Sequence, residues 1–296
     1  MNHRSLLLGL ALILCPLLTS AAKKQPNILF LFADNWQYEH AGAHGYSAVK
    51  TPVFDRIARE GARFTRAFCP VPSCGPTRSS LVTGRAAHQL GELANHGGRF
   101  DAKYRVFIDA LEVVGYHTGF TGKGWAPGIY EGFGRTESPT GKRYKDFPSF
   151  LTERKSDQPF FFWFGDNQTA LHSWKRGSGQ AAGIDPSKVR VPDYLPDVAE
   201  VREEITDYLA SVQRTDTAFG TAIALLEERG ELENTIIIYG SDNGWQMPRG
   251  LANCYDLGVR IPMAARYPAQ WKPQERHDFV TLGALAPTFL QAAGLS

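Results

Sequence analysis

Three stretches of the chain are almost continuously apolar and short enough to be single strands. They occupy residues 26–34, 159–164 and 235–242. Runs of this kind are typical of strands buried on both faces of a parallel sheet, because neither face then needs polar side chains. Two less regular stretches, 117–121 and 259–265, predict further strands.

Between these stretches, apolar residues recur at the helical spacing of three and four positions. The predicted helices cover residues 51–61, 106–114, 197–229 and 279–293. Strands that alternate with helices pair in parallel, because each helix returns the chain to the same edge of the sheet. The sequence therefore predicts an α/β fold, with a doubly wound, mostly parallel central sheet flanked by helices.

The N-terminus departs from this pattern. A positive charge at Arg4 precedes an apolar run from Leu6 to Leu18, and small residues follow up to Ala22. This layout is typical of a secretory signal peptide, and the run is shorter than the roughly 20 residues that span a membrane. We predict that residues 1–22 are a signal peptide, and that the protein is exported (periplasmic or secreted) without a stable membrane anchor.

Composition narrows the function classes. The 296 residues carry a net charge of only +2, and no basic run is present that would grip nucleic acid. Removal of the signal peptide leaves three cysteines, Cys69, Cys74 and Cys254. An odd number argues against a disulfide framework and is compatible with one cysteine reserved for chemistry.

The most informative stretch is the Pro/Gly-rich turn and predicted helix at residues 72–85. Pro76 suits the first position of a helix and Gly84 suits its end. Cys74 would then lie beside a helix N-terminus, where unpaired N–H groups attract anions. Arg78, about one turn later, adds a permanent planar cation. These residues predict an anion site that contains a nucleophile, and they leave the anion open.

The spacing Cys74-x-Pro76-x-Arg78-x-x-x-x-Thr83-Gly84 resembles the signature of the type I sulfatases, in the alkaline phosphatase-like superfamily. The closest likeness is to their heparan-N-sulfatase-like branch. The resemblance implies that a maturation enzyme, formylglycine-generating or anaerobic, oxidises Cys74 to formylglycine (3-oxoalanine), whose hydrate attacks sulfur. It also implies that Arg78 holds the sulfate.

Two predicted strands end in an acid–amide pair, Asp34-Asn35 and Asp242-Asn243. Their four oxygen atoms suit a hard divalent cation, although such residues also form turns after strands. The resemblance implies one Ca²⁺, with Mg²⁺ as the alternative ion, at a metal site formed by these four residues and Cys74. Asn35 replaces a second aspartate of the family, which predicts weaker binding because a charge is lost.

Three further positions follow from the resemblance. Lys123 matches a lysine that contacts sulfate, although Trp125 stands where many members have histidine. His172 is the nearest candidate to protonate the leaving alcohol, but its offset differs and a surface role is equally compatible with the sequence. Leu251 occupies the position of a second sulfate-binding lysine.

Residues 26–296 are therefore predicted to form a sulfatase N-terminal catalytic domain, with the usual C-terminal subdomain apparently missing. The expected activity is hydrolysis of a sulfate ester or sulfamate on a saccharide. One alternative is an inactive or impaired sulfatase-fold protein that binds sulfated glycans. A second is a phosphatase or phosphodiesterase of the same superfamily.

Overall fold

A seven-stranded sheet runs through the centre of the protein. The computed structural model describes residues 24–295, so the predicted signal peptide at 1–22 lies outside the described residues. The strands are β1 (Asn27–Ala33), β2 (Ala62–Phe64), β3 (Ala67–Phe68), β4 (His117–Gly122), β5 (Phe160–Asp166), β6 (Thr235–Ser241), β7 (Met263–Arg266), β8 (Gln274–Arg276) and β9 (Val280–Thr281). The sheet order is β4-β5-β1-β6-β7-β2-β8, and β3 pairs with β9 apart from it.

The four strands β4, β5, β1 and β6 are parallel to one another, as predicted. Strand β7 is antiparallel to both β6 and β2. β1 lies between β5 and β6, and all seven of its residues are buried. A fully apolar strand is needed there because helices cover both faces.

The helices lie on both sides of this sheet. They are α1 (Pro52–Glu60), α2 (Cys74–Thr83), α3 (Phe107–Val113), α4 (Phe147–Glu153), α5 (Ser178–Ala181), α6 (Ala199–Glu228), α7 (Asp256–Val259) and α8 (Leu285–Ala292). Leu29 and Leu31 of β1 pack in one core with α1, α4 and α6. Phe30 and Phe32 pack in a second core with α2, α3 and α8. The predicted doubly wound, mostly parallel α/β fold is confirmed.

Two predicted elements differ from the structure. The strand predicted over 259–265 begins only at Met263, because α7 extends to Val259 and Pro262 has no N–H to donate to a neighbouring strand. The helix predicted over 279–293 begins at Leu285, after a short strand and a 3₁₀ turn. The β-branched Val280 instead donates its N–H to the carbonyl of Arg66, 3.0 Å away.

Within residues 24–295, none of the helices has both the length and the apolar composition that crossing a bilayer requires.

Candidate active site

The site lies at the carboxyl ends of two neighbouring parallel strands. Asp34 directly follows β1 and Asp242 directly follows β6, and the register of the two strands places Ala33 opposite Ser241. The two carboxylates therefore emerge side by side. The amide N–H of Asn35 donates to Asp242 Oδ1 at 3.0 Å, which ties the two strand ends together. Both aspartates are almost completely buried.

Helix α2 starts at Cys74, two residues earlier than the predicted start at Pro76. Ser73 has extended backbone dihedrals, so the helix begins immediately after it. Pro76 still fits, because the first four N–H groups of a helix have no partner within the helix. The prediction that Gly84 ends the helix is confirmed, since Gly84 has φ 66°. The Cys74 thiol is buried and its Sγ donates to Asp34 Oδ1 at 3.2 Å.

Arg78 lies one turn along α2 with none of its side chain exposed. Its Nε donates to Asp242 Oδ2 at 2.9 Å, and one terminal nitrogen lies 3.4 Å from Asp34 Oδ1. The other terminal nitrogen donates to the carbonyls of Lys123 and Gly124 at 2.9 and 2.8 Å. Every guanidinium nitrogen is therefore occupied by the protein itself, and Arg78 holds the two carboxylates in place.

Lys123 directly follows β4, which β5 separates from β1, and it reaches the same Asp34 carboxylate. Its Nζ lies 2.6 Å from Asp34 Oδ1, and its side chain is 18% exposed. Gly122 precedes it with φ 66°, where a Cβ would also collide with the carbonyl oxygen of Gly165. Only glycine fits this turn, which aims Lys123 into the site. Lys123 is thus a cation of the cluster that solvent can reach.

The charges in this cluster shift the pKa of each acid. Burial raises the pKa of Asp34, but the nearby charges of Lys123 and Arg78 outweigh it, so that pKa lies well below its usual range. Burial and the negative charge of Asp34 raise the pKa of Asp242 to about 7. Burial and both carboxylates raise the pKa of the Cys74 thiol. The sulfur therefore keeps its proton and donates a hydrogen bond to Asp34.

The four acid and amide residues predicted to bind a cation lie together. Atoms of Asp34, Asp242 and Cys74 come within 4.8 Å of one another. Asn243 donates through Nδ2 to Asn35 Oδ1 at 2.6 Å, while its own Oδ1 is buried and accepts no hydrogen bond from residues 24–295. A buried oxygen acceptor without a donor is costly unless a cation or water completes it. Together with two carboxylates, this donor set fits a hard divalent cation such as Ca²⁺.

His172 is the predicted residue that does not join the cluster. It lies in a short 3₁₀ turn (Leu171–Ser173), and its side chain is exposed and forms no hydrogen bond within residues 24–295. The turn is nevertheless linked to the site through Gln246, which the sequence did not suggest. Gln246 Oε1 accepts from the N–H of Leu171 at 2.6 Å and from Asn35 Nδ2 at 2.8 Å. Nothing but its position three residues after Asn243 could have indicated it.

The loop that carries Leu251 packs beside the nucleophile turn. The N–H of Ala252 donates to the carbonyl of Pro72 at 2.7 Å, two residues before Cys74. The Leu251 side chain is half-buried and supplies no charge there. Trp125 is buried and donates from Nε1 to Ser79 Oγ at 2.9 Å, so it serves as a packing residue behind α2.

Comparison with known proteins identifies the family. The sequence model of the Sulfatase family matches residues 26–295. The chain belongs to the sulfatase family. Human N-sulphoglucosamine sulphohydrolase is 31% identical to this sulfatase-family chain over 89% of the chain. Human arylsulfatase A is 26% identical over 98% of it. The chain spans 60% and 67% of the lengths of these two curated relatives.

Solved structures confirm the fold of this family member. One, determined in complex with its substrate D-glucosamine-2-N,6-O-disulfate, has a TM-score of 0.74 at 22% identity and covers 92% of this chain and 77% of its own. A phosphonate monoester hydrolase of Agrobacterium radiobacter has a TM-score of 0.71 at 18% identity, covering 92% and 74%. At these identities the likeness establishes a shared architecture, and chemistry has to be argued from the site.

Proposed function

We propose that this chain hydrolyses a sulfate ester or a sulfamate carried by a saccharide. The observation that carries the proposal is the meeting of Cys74, Arg78 and Lys123 on one carboxylate, Asp34. A nucleophile position and two cations thus converge where a sulfo group would sit. The names of the relatives add support, because two of them act on sulfated glucosamine derivatives.

In this proposal a maturation enzyme oxidises Cys74 to formylglycine. The signature spacing around Cys74 is the basis for this step. The hydrated aldehyde would supply an oxygen nucleophile at the start of α2, where helix N–H groups favour the negative charge that develops on sulfate oxygens. Asp34 would orient that oxygen, since its carboxylate already accepts a hydrogen bond from the Cys74 side chain.

Lys123 and Arg78 have different roles in this proposal. Lys123 is partly exposed and would contact the incoming sulfo group directly. Arg78 has its nitrogens engaged and would act through its fixed charge and by holding Asp34 and Asp242. His172 is the candidate acid for the leaving alcohol, from a turn that Gln246 links to Asn35.

A divalent cation completes the proposed site. Asp34, Asn35, Asp242 and Asn243 would hold Ca²⁺, or Mg²⁺, and Cys74 would lie beside it. When bound, the ion would withdraw charge from a sulfate oxygen and from the nucleophile. We also propose export, on the basis of the N-terminal residues 1–22.

The test combines maturation with substrate choice. The full chain is co-expressed with a formylglycine-generating enzyme and probed with an aldehyde-reactive reagent and by intact mass. We expect an aldehyde in the wild type and in the Cys254→Ala control, and none in Cys74→Ala. The matured protein should release phenol from an aryl sulfate, and it should release much less phenol from an aryl phosphate. An aldehyde-bearing protein that cleaves neither compound supports an inactive glycan-binding relative, and preference for the phosphate supports a phosphatase.

A cation at position 251 is expected to increase the rate. Leu251→Lys would place a positive charge in the loop that contacts Pro72, beside the nucleophile turn. Because charge develops on sulfate oxygens in the transition state, kcat/KM for an aryl sulfate should rise about tenfold. Leu251→Met is the control, since it keeps an apolar side chain of similar size. Equal rates for the two variants would contradict this prediction.

A further inference from the structure

A cavity of about 640 Å³ opens directly beside Lys123. Its walls include the rings of Phe120, Trp125 and Tyr130, and the polar groups of Arg143 and Asn167. Aromatic faces combined with a few polar groups are typical of ligand cavities, and this volume accommodates one or two sugar rings. Lys123 belongs both to this cavity and to the cluster around Asp34.

The backbone around Arg143 is fixed against strand β4. The N–H of Phe120 donates to the carbonyl of Lys142 at 3.0 Å, and the N–H of Tyr144 donates to the carbonyl of Phe120 at 2.8 Å. Arg143 lies between these two bonds. One of its terminal nitrogens donates to the carbonyl of Gly122 at 3.1 Å, and its guanidinium carbon lies 5.8 Å from the centre of the Phe120 ring.

Arg143 is a cation without an acidic partner in the described part of the chain. Within residues 24–295 it forms no ion pair, whereas its neighbour Lys142 is paired with Glu153. Glu137 also lines the cavity, but no ion pair joins it to Arg143. The exposed guanidinium therefore keeps donors available on the cavity side. A planar donor fork of this kind recognises oxyanions.

The anchoring points of the two cations are adjacent in sequence. Arg143 is bound at the carbonyl of Gly122, and the next residue, Lys123, supplies the ammonium at Asp34. Both side chains line the same cavity. We propose that the cavity binds the sugar that carries the cleaved group, an inference that rests on the proposed function. Arg143 then selects substrates that carry a second anionic group on that sugar or on the neighbouring sugar.

Binding to the full chain with Cys74→Ala, which cannot turn substrate over, tests this proposal by calorimetry. The ligands are N-acetylglucosamine 6-O-sulfate, glucosamine N,6-O-disulfate, and a disaccharide of uronic acid and N-acetylglucosamine 6-O-sulfate. We expect the second anion to tighten binding about tenfold over the monosulfate, in line with a charge-assisted hydrogen bond. Comparing the two doubly charged ligands shows whether Arg143 prefers a sulfate or a carboxylate as the second anion.

Adding Arg143→Ala should remove the tenfold advantage, and Arg143→Lys should retain part of it. Arg85→Ala is the matched control, because Arg85 is also exposed but follows the opposite end of α2. Equal affinities for all three ligands, or an advantage that survives Arg143→Ala, would overturn the inference. Failure of every ligand to bind overturns it too. The proposed function is judged separately, by aryl sulfate hydrolysis in the matured wild type.

Discussion

Arg78→Ala should lower the free energy of unfolding by about 3–5 kcal/mol, the usual cost of removing one partner from a buried ion pair. Arg78 has no exposed surface and bonds to both Asp34 and Asp242. Its loss takes one of two cations from the buried Asp34 carboxylate, which keeps Lys123, and removes the hydrogen-bond donor of the buried Asp242. Urea unfolding at pH 7 in the presence of a chelator measures the change without a contribution from metal binding.

Two further variants identify the cause of this loss. Asp34 is the acid that stays ionised at pH 7, so combining Arg78→Ala with Asp34→Asn removes a buried charge, and the double variant should be more stable than Arg78→Ala alone. Arg85→Ala tests an exposed arginine that follows the far end of the same helix, and it should change stability by less than about 0.5 kcal/mol. A double variant no more stable than the single one would show that lost packing, and not charge, explains the effect.

Acidification from pH 7 to pH 5 should destabilise the protein through two buried histidines, by about 2 kcal/mol for each ring. Burial, with a smaller contribution from Arg190, lowers the pKa of His40 to about 3. Burial, with the charges of Arg63 and Arg260, lowers the pKa of His44 to about 3. An unfolded histidine has a pKa near 6.5, so between pH 6.5 and 3 the unfolded chain binds protons that the folded protein does not. The stability is present above pH 6.5 and is lost as the pH falls.

A substitution separates this effect from acids that act in the opposite direction. Burial raises the pKa of Asp216 to about 6, and burial with the charge of Asp34 raises that of Asp242 to about 7, so both groups favour the folded state as the pH falls from 7 to 5. The informative quantity is therefore the difference between the wild type and His40→Phe, whose ring fits among Tyr46, Tyr208 and Trp245. Urea midpoints of His40→Phe should fall less between pH 7 and 5. His88→Phe, at an exposed position, should follow the wild type, and parallel curves for all three proteins would refute the assignment.

The parts of the fold that the sequence predicted are those that depend on local pattern. The apolar runs of β1, β5 and β6 are shorter than a typical buried helix and too apolar for exposed strands. Their burial in a parallel sheet was therefore predictable. The reversed direction of β7 was not, because alternation of strands and helices carries no information about which neighbour a late strand joins. Val280 shows the same limit, since its pairing partner is more than 200 residues away in the chain.

The same distinction between local pattern and long-range contact applies to the candidate site. Asp34 and Asp242 were predicted from their positions after apolar strands, and Cys74 and Arg78 from their spacing. The binding of Lys123 to Asp34 depends on the order of β4, β5 and β1 in the sheet, which the sequence does not encode locally. The saturation of Arg78 by backbone carbonyls likewise arises only when Lys123 and Gly124, just after β4, come to lie beside the Arg78 side chain.

The central place of β1 has a consequence for biosynthesis. This strand leaves the ribosome well before the strands it pairs with, since it bonds to segments that begin 133 and 208 residues later. Closing such large loops is slow, and an unpaired apolar strand readily associates with other chains. The nascent protein must therefore keep β1 shielded, by a chaperone or by transient collapse, until β6 has been synthesised and the two strand ends that carry Asp34 and Asp242 can meet.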